Sequence, residues 1–143
     1  MKKCVLLILI LFMTGCNTKE LICTKIDKSS SDITIKEEIV IKYNKKVETF
    51  YFKSNVEAGS IYKKYMKELK NSMIDKYILN IELEGIEKKA NINKQNIVIE
   101  ISGNIKKMDM NTKNALDIFS VDNSIGDIKK ELKNRNYVCH KKA

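Results

Sequence analysis

Apolar and polar residues alternate along much of the first half of this chain. Ile33, Ile35, Ile39, Ile41 and Tyr43 occupy odd positions, with Lys36, Glu38 and Lys42 between them. That period of two belongs to a half-buried strand, and Glu37 alone breaks the parity. Residues 21–26 read as a first strand, separated from the second by the turn cluster 28–32, with its three serines. Tyr43-Asn44-Lys45-Lys46 turns the chain into a third strand over 47–53, rich in Thr, Phe and Tyr. Three strands joined by short turns predict a β-meander.

The period then changes. Ile61, Tyr62, Tyr65, Met66, Leu69, Met73, Ile74 and Tyr77 are spaced by threes and fours, which predicts one long amphipathic helix over 56–77 lying across the sheet. Ser54 and Glu57 have capping-box spacing, with Ser60 as the other cap candidate. Extended segments follow over 78–85 and 86–92, then a turn at 93–96 and a strand over 97–102. Residues 106–120 read as a loop leading into a short helix. Ser124 with Asp127 marks a further helix start, with Ile125, Ile128 and Leu132 at core-facing spacing. Tyr137-Val138-Cys139 closes the chain as a strand. The predicted class is α+β: an antiparallel β-sheet, built from the N-terminal meander and later strands, with the long helix and a shorter C-terminal helix packed on it.

The opening residues have a different character. Lys2 and Lys3 precede an unbroken apolar run over 5–13, and Thr14-Gly15-Cys16 ends it. This is the layout of a bacterial export signal. Nine apolar residues make about 14 Å of helix, roughly half the hydrocarbon thickness of a bilayer, so the run is too short to remain as a span. Small residues followed at once by Cys resemble a lipobox, the processing signal of bacterial lipoproteins, with Met13 where Leu is usual. The resemblance implies a diacylglyceryl group on the Cys16 thiol and cleavage before it. The expected organisation is a leader over 1–15 forming an apolar helix over 4–14, a lipidated tether over 16–20, and a single α+β domain over 21–143.

Composition narrows the partners. The formal charge is +9, and of the 27 basic residues Arg135 alone is arginine. Lysine is a hydrated point charge without the guanidinium fork that reads phosphates and base edges, so nucleic acid is not an expected partner. Four cysteines are present. Cys4 leaves with the leader and Cys16 takes the lipid, so Cys23 and Cys139 remain in a compartment where thiols oxidise. The expectation is a disulfide between the two ends of the domain. Two free buried thiols or a shared metal site are the alternatives, the second weakened because His140 is the one further ligand nearby.

Catalytic patterns are missing. There is no G-x-S-x-G elbow, H-E-x-x-H pair, phosphate-cradling glycine loop or dinucleotide fingerprint. Glu82 and Glu84 share a strand face but alternate with Ile81 and Leu83, as a solvent-facing pair would. Asp109, Asp117, Asp122 and Asp127 do not have calcium-loop spacing. No catalytic residue, cofactor or metal is expected. Phe50 and Phe52 read as core. A cleft between helix and sheet would be lined by Tyr51, Tyr62 and Tyr65 and would suit a small amphiphile or peptide.

The lipobox, the Leu21-x-Cys23-Thr24-Lys25 opening of a meander, the amphipathic helix, and a closing helix before Tyr137-x-Cys139 together resemble the YehR-like small bacterial lipoproteins. Asn136 stands where a Gly-Tyr step is more typical of them. The resemblance implies an α+β domain on a lipid anchor and no established activity. The functional expectation is a non-enzymatic lipoprotein on the extracytoplasmic face of the cell membrane that binds a small ligand or an envelope protein. A structural or regulatory role through protein contact is the alternative, and weak hydrolysis comes third.

Overall fold

A computed structural model describes residues 18–76, 82–93, 96–116 and 124–142. The predicted leader helix over 4–14, Cys16, and part of the extended segment 78–85 lie outside them. Six strands form one antiparallel sheet: β1 (Lys19–Ser30), β2 (Ile33–Tyr43), β3 (Val47–Ala58), β4 (Ile86–Ile92), β5 (Asn96–Asn104) and β6 (Val138–Lys142). Their order across the sheet is β4-β5-β3-β2-β1-β6. The meander is present as predicted, and the last strand returns to lie beside the first. Three short helices accompany the sheet: α1 (Met66–Lys76), α2 (Met110–Ala115) and α3 (Ile125–Asn134).

The class is therefore mostly β with small helices, not the α+β arrangement with a long amphipathic helix. The correction falls on residues 54–61. β3 has β2 on one side and β5 on the other, and Val56 pairs with both Ile35 and Ile97. Ser54, Val56 and Ala58 alternate inward on the sheet and are buried, while Asn55 and Glu57 point outward. Residues 54–58 thus carry a period of two as well as the capping-box spacing of Ser54 and Glu57, and ladder hydrogen bonds on both edges decide for the strand. Gly59 ends it: its N–H donates to the Asp32 carbonyl at 2.7 Å, and a Cβ there would collide with the Asp32 carboxylate. Ile61 N–H donates to that carboxylate at 2.9 Å. A 3-10 turn over Tyr62–Tyr65 follows, and only then does α1 begin. Its Met73 is buried, but Ile61 and Tyr65 are 62% and 48% exposed, so the apolar stripe is only partly core.

The helix over 125–134 forms where its signals place it. Asp127 N–H donates to Ser124 Oγ at 3.2 Å, and Ser124 N–H donates to Asp127 Oδ2 at 3.3 Å, a reciprocal capping box. Ile128 and Leu132 are fully buried. The helix ends in a Schellman motif: Tyr137 N–H reaches the Leu132 carbonyl at 2.9 Å and Asn136 N–H the Lys133 carbonyl at 3.0 Å. Asn136 holds the left-handed conformation this requires, φ 67°. Asparagine tolerates that region, and so serves in place of glycine. At α2, Asp109 Oδ1 accepts from Thr112 N–H at 2.7 Å.

The core lies on one face of the sheet. Leu21 and Cys23 of β1, Ile39 and Ile41 of β2, Phe50 and Val56 of β3, and Ile97, Ile99 and Ile101 of β5 meet Met73, Met108, Ile128 and Leu132 there. At its margin Glu37 stands opposite Lys25 in register and accepts from the Tyr137 hydroxyl at 2.6 Å. Lys25 Nζ sits 5.7 Å from the centre of the Tyr137 ring. The parity break at Glu37 is thus a polar cluster binding the closing segment to the sheet.

Candidate functional site

Cys23 and Cys139 are bonded to one another. They face each other directly in the β1–β6 register with Cα atoms 4.0 Å apart, the narrow kind of pair in which side chains come closest. Alternation puts both on the core side and sends His140 to the other, where it is exposed. Among the described residues no group of three or more His, Cys, Asp or Glu is arranged to hold a metal.

The remaining candidate site lies on the sheet face away from the core. Register aligns its side chains in rows. Val40, Tyr51, Ser102 and Glu87 form one, and Lys42, Thr49 and Asn104 the next. Together with Gly85 and Lys107 at the rim they line a depression of about 510 Å³, four strands or about 14 Å across at the usual interstrand spacing. Gly85, at φ 76°, lets the chain turn into β4 with its carbonyl accepting from Asn104 N–H at 3.2 Å. A Cβ at Gly85 would press on the Lys107 backbone, so glycine there brings the two rim segments together.

Tyr51 forms a wall of this depression. Its hydroxyl donates to Glu100 Oε1 at 2.5 Å. Burial, that hydrogen bond and the negative charge push its pKa up to about 12. The Tyr51 hydroxyl in turn holds the Glu100 carboxyl below the usual carboxylate range, with Lys53 and Lys89 adding to the effect. Glu100 belongs to a third row in which charge alternates: Glu38, Lys53, Glu100, Lys89. With its hydroxyl committed to that row, Tyr51 offers the depression an aromatic ring beside the Thr49 and Ser102 hydroxyls and the Asn104 amide. This is a mixed surface suited to binding a small amphiphile.

The sequence predicts the cleft between helix and sheet, but Tyr51 lines this depression on the face away from the core, and Tyr65 does not line it. Tyr65 lies on the 3-10 turn before α1, its ring 4.8 Å from Lys64 Nζ, and the side chain of Tyr62 lies outside the described residues. Val40, Thr49, Ser102, Asn104 and Lys107 were not picked out by sequence reasoning. The alternation of Val40, Thr49 and Ser102 with core residues was visible, but only the register shows that Val40 and Ser102 share a row with Tyr51 and that Thr49 and Asn104 lie together in the next. No helix among the described residues is long and apolar enough to cross a membrane.

No protein-family model matches this chain, and no curated protein matches it. Among solved structures it is similar to the NMR structure of a protein from Streptococcus pneumoniae TIGR4, with 14% identity, a TM-score of 0.47, and coverage of 87% of this chain and 86% of the other.

Proposed function

We propose that this chain is an exported lipoprotein, held on the outer face of the cytoplasmic membrane by a diacylglyceryl group on Cys16, and that its folded domain is a non-enzymatic binding module. The observation that carries this is the bonded Cys23–Cys139 pair in a chain that opens with two lysines, an apolar run and Thr14-Gly15-Cys16. Structural disulfides persist in oxidising compartments, so the bridge supports the destination that the leader encodes. The open-face depression around Tyr51 supports a small amphiphilic ligand. Replacing Cys16 with Ser should move the protein from the membrane to the aqueous fraction, and mass spectrometry of the mature amino terminus should find an acylated cysteine. Membrane retention of the Cys16→Ser protein, or an unmodified leader, overturns the reading.

A second reading has its own observation. Ile26 and Val138 are 64% and 74% exposed, and register places both on the open face next to Thr24. Beyond Thr24 the outer edge of β1 has no strand partner among the described residues. Such an edge with an apolar margin suits strand addition by an envelope protein, and Ile26→Lys would abolish that contact while leaving ligand binding intact.

A further inference from the structure

The polarity of the strands determines which end of the sheet lies near the anchor. β1 starts at Lys19, three residues after Cys16, and three extended residues span about 10 Å. Register brings four other segments to the same end. Lys19 stands opposite Tyr43 and Glu20 opposite Lys42, next to the β2–β3 turn. Glu20 also faces Lys142 at the end of β6. Thr49 faces Asn104, the residue before the 3-10 turn Ile105–Lys107, and Ile86 opens β4 opposite Gly103.

Lysine concentrates on this end. The β2–β3 turn presents Lys45 and Lys46, the 3-10 turn presents Lys106 and Lys107, and β6 finishes with Lys141 and Lys142. All six, and Lys19, are exposed, and none pairs with a carboxylate among the described residues. Glu20 is engaged by Lys42 at 3.7 Å. Glu48, Glu84 and Glu87 share the end but are outnumbered. At the opposite end, the described turns Ser31-Asp32 and Gly59-Ser60-Ile61 contain no lysine, and the exposed lysines flanking them are Lys28 of β1 and Lys64 of the 3-10 turn.

We infer that this lysine-rich end is a docking surface for the anionic phospholipid headgroups of the bilayer that holds the anchor, so that the sheet stands on the membrane end-on. The inference rests on the lipid-anchor reading and adds to it an orientation. Two features favour this occupant. The tether reaches only about one Debye length at 0.1 M salt, which keeps these lysines within the surface field only if their end faces down. Lysines without arginine forks suit a diffuse headgroup layer, which needs charge but not fixed hydrogen-bond geometry.

The test uses the protein extracted from its membrane with its anchor and reconstituted on phosphatidylcholine vesicles with or without phosphatidylglycerol. Amine acetylation is read lysine by lysine by mass spectrometry, with Lys28 and Lys64 at the other end as internal references. With phosphatidylglycerol, labelling of Lys45, Lys46, Lys141 and Lys142 should slow about threefold relative to the references, as expected near an anionic leaflet, and high salt should abolish the difference. A Lys45→Glu/Lys46→Glu variant with unchanged melting should lose the slowing at Lys141 and Lys142. Partition into the detergent phase with labelling indifferent to phosphatidylglycerol overturns the docking surface and leaves the anchor standing. Partition into the aqueous phase overturns the anchor and the docking surface with it. Equal protection on phosphatidylcholine by added soluble polyphosphate overturns lipid as the occupant.

Discussion

The two faces of this sheet are built from the same strands, one residue out of step, and they behave differently. The covered face collects Leu21, Ile39, Ile41, Val56, Ile97 and Ile99 under Ile128 and Leu132, and is closed at one edge by the disulfide. The open face carries rows of alternating charge and hydroxyl groups, with Lys36 on Glu57 at 2.8 Å and Tyr51 on Glu100. The difference teaches where stability and chemistry reside. Burial on the first face removes apolar area from water, whereas exposed pairs on the second contribute at most about 1 kcal/mol each. The open face is thus free to vary its side chains without endangering the fold.

That contrast can be broken most forcefully from the covered side. The bridge joins residues 116 apart, so the chain-entropy model assigns it ~4–5 kcal/mol, and engineered cases often deliver less. Cys23→Ala/Cys139→Ala should lower the unfolding free energy in urea by a corresponding amount and steepen the slope, because the unbridged denatured chain is more expanded. Leu132→Ala, which opens a cavity beneath α3, should cost about 3 kcal/mol in the same experiment. Ser124→Ala removes one side of the capping box and should cost about 1 kcal/mol.

Changes on the open face should be smaller and visible mainly through pH. Tyr51 should ionise near 12 by ultraviolet absorbance. Glu100→Gln should bring that value part of the way back, since burial remains and the carboxylate is gone. For Glu100 the folded pKa is lowered, so its stabilisation is present above the ordinary carboxylate value and is lost as pH falls through the lowered one. Tyr51→Phe should weaken this acid-limb dependence by slightly lowering stability at neutral pH while leaving it unchanged once Glu100 is protonated. A loss as large as that of Leu132→Ala would show that the open face is part of the structural core.

Two helices mark the limits of legibility. At 124–134 every signal agreed: a cap, an acidic partner three residues on, and two apolar positions facing inward. Each depends on neighbours within one or two turns, so the chain itself specifies them. At 54–77 the signals conflicted. Residues 54–58 alternate as a strand does and also carry the Ser54–Glu57 capping-box spacing, and no local rule weighs a helix cap against two strand partners distant in sequence. The Tyr51–Glu100 bond shows the same limit, because it joins residues 49 apart and exists only once β3 and β5 are in register.

The amino-acid order by itself determined the meander, both bounds of β2, the C-terminal helix with its cap, and the two cysteines left to pair. These follow from alternation, short-range hydrogen bonding and counting. Only the tertiary structure decided that β3 would run on to Ala58, that β6 would return to β1, and that Tyr51 would stand beside Ser102. The physical reason is that ladder hydrogen bonds and face-sharing are contributed by strands far apart along the chain, and their energy is realised only when those strands meet.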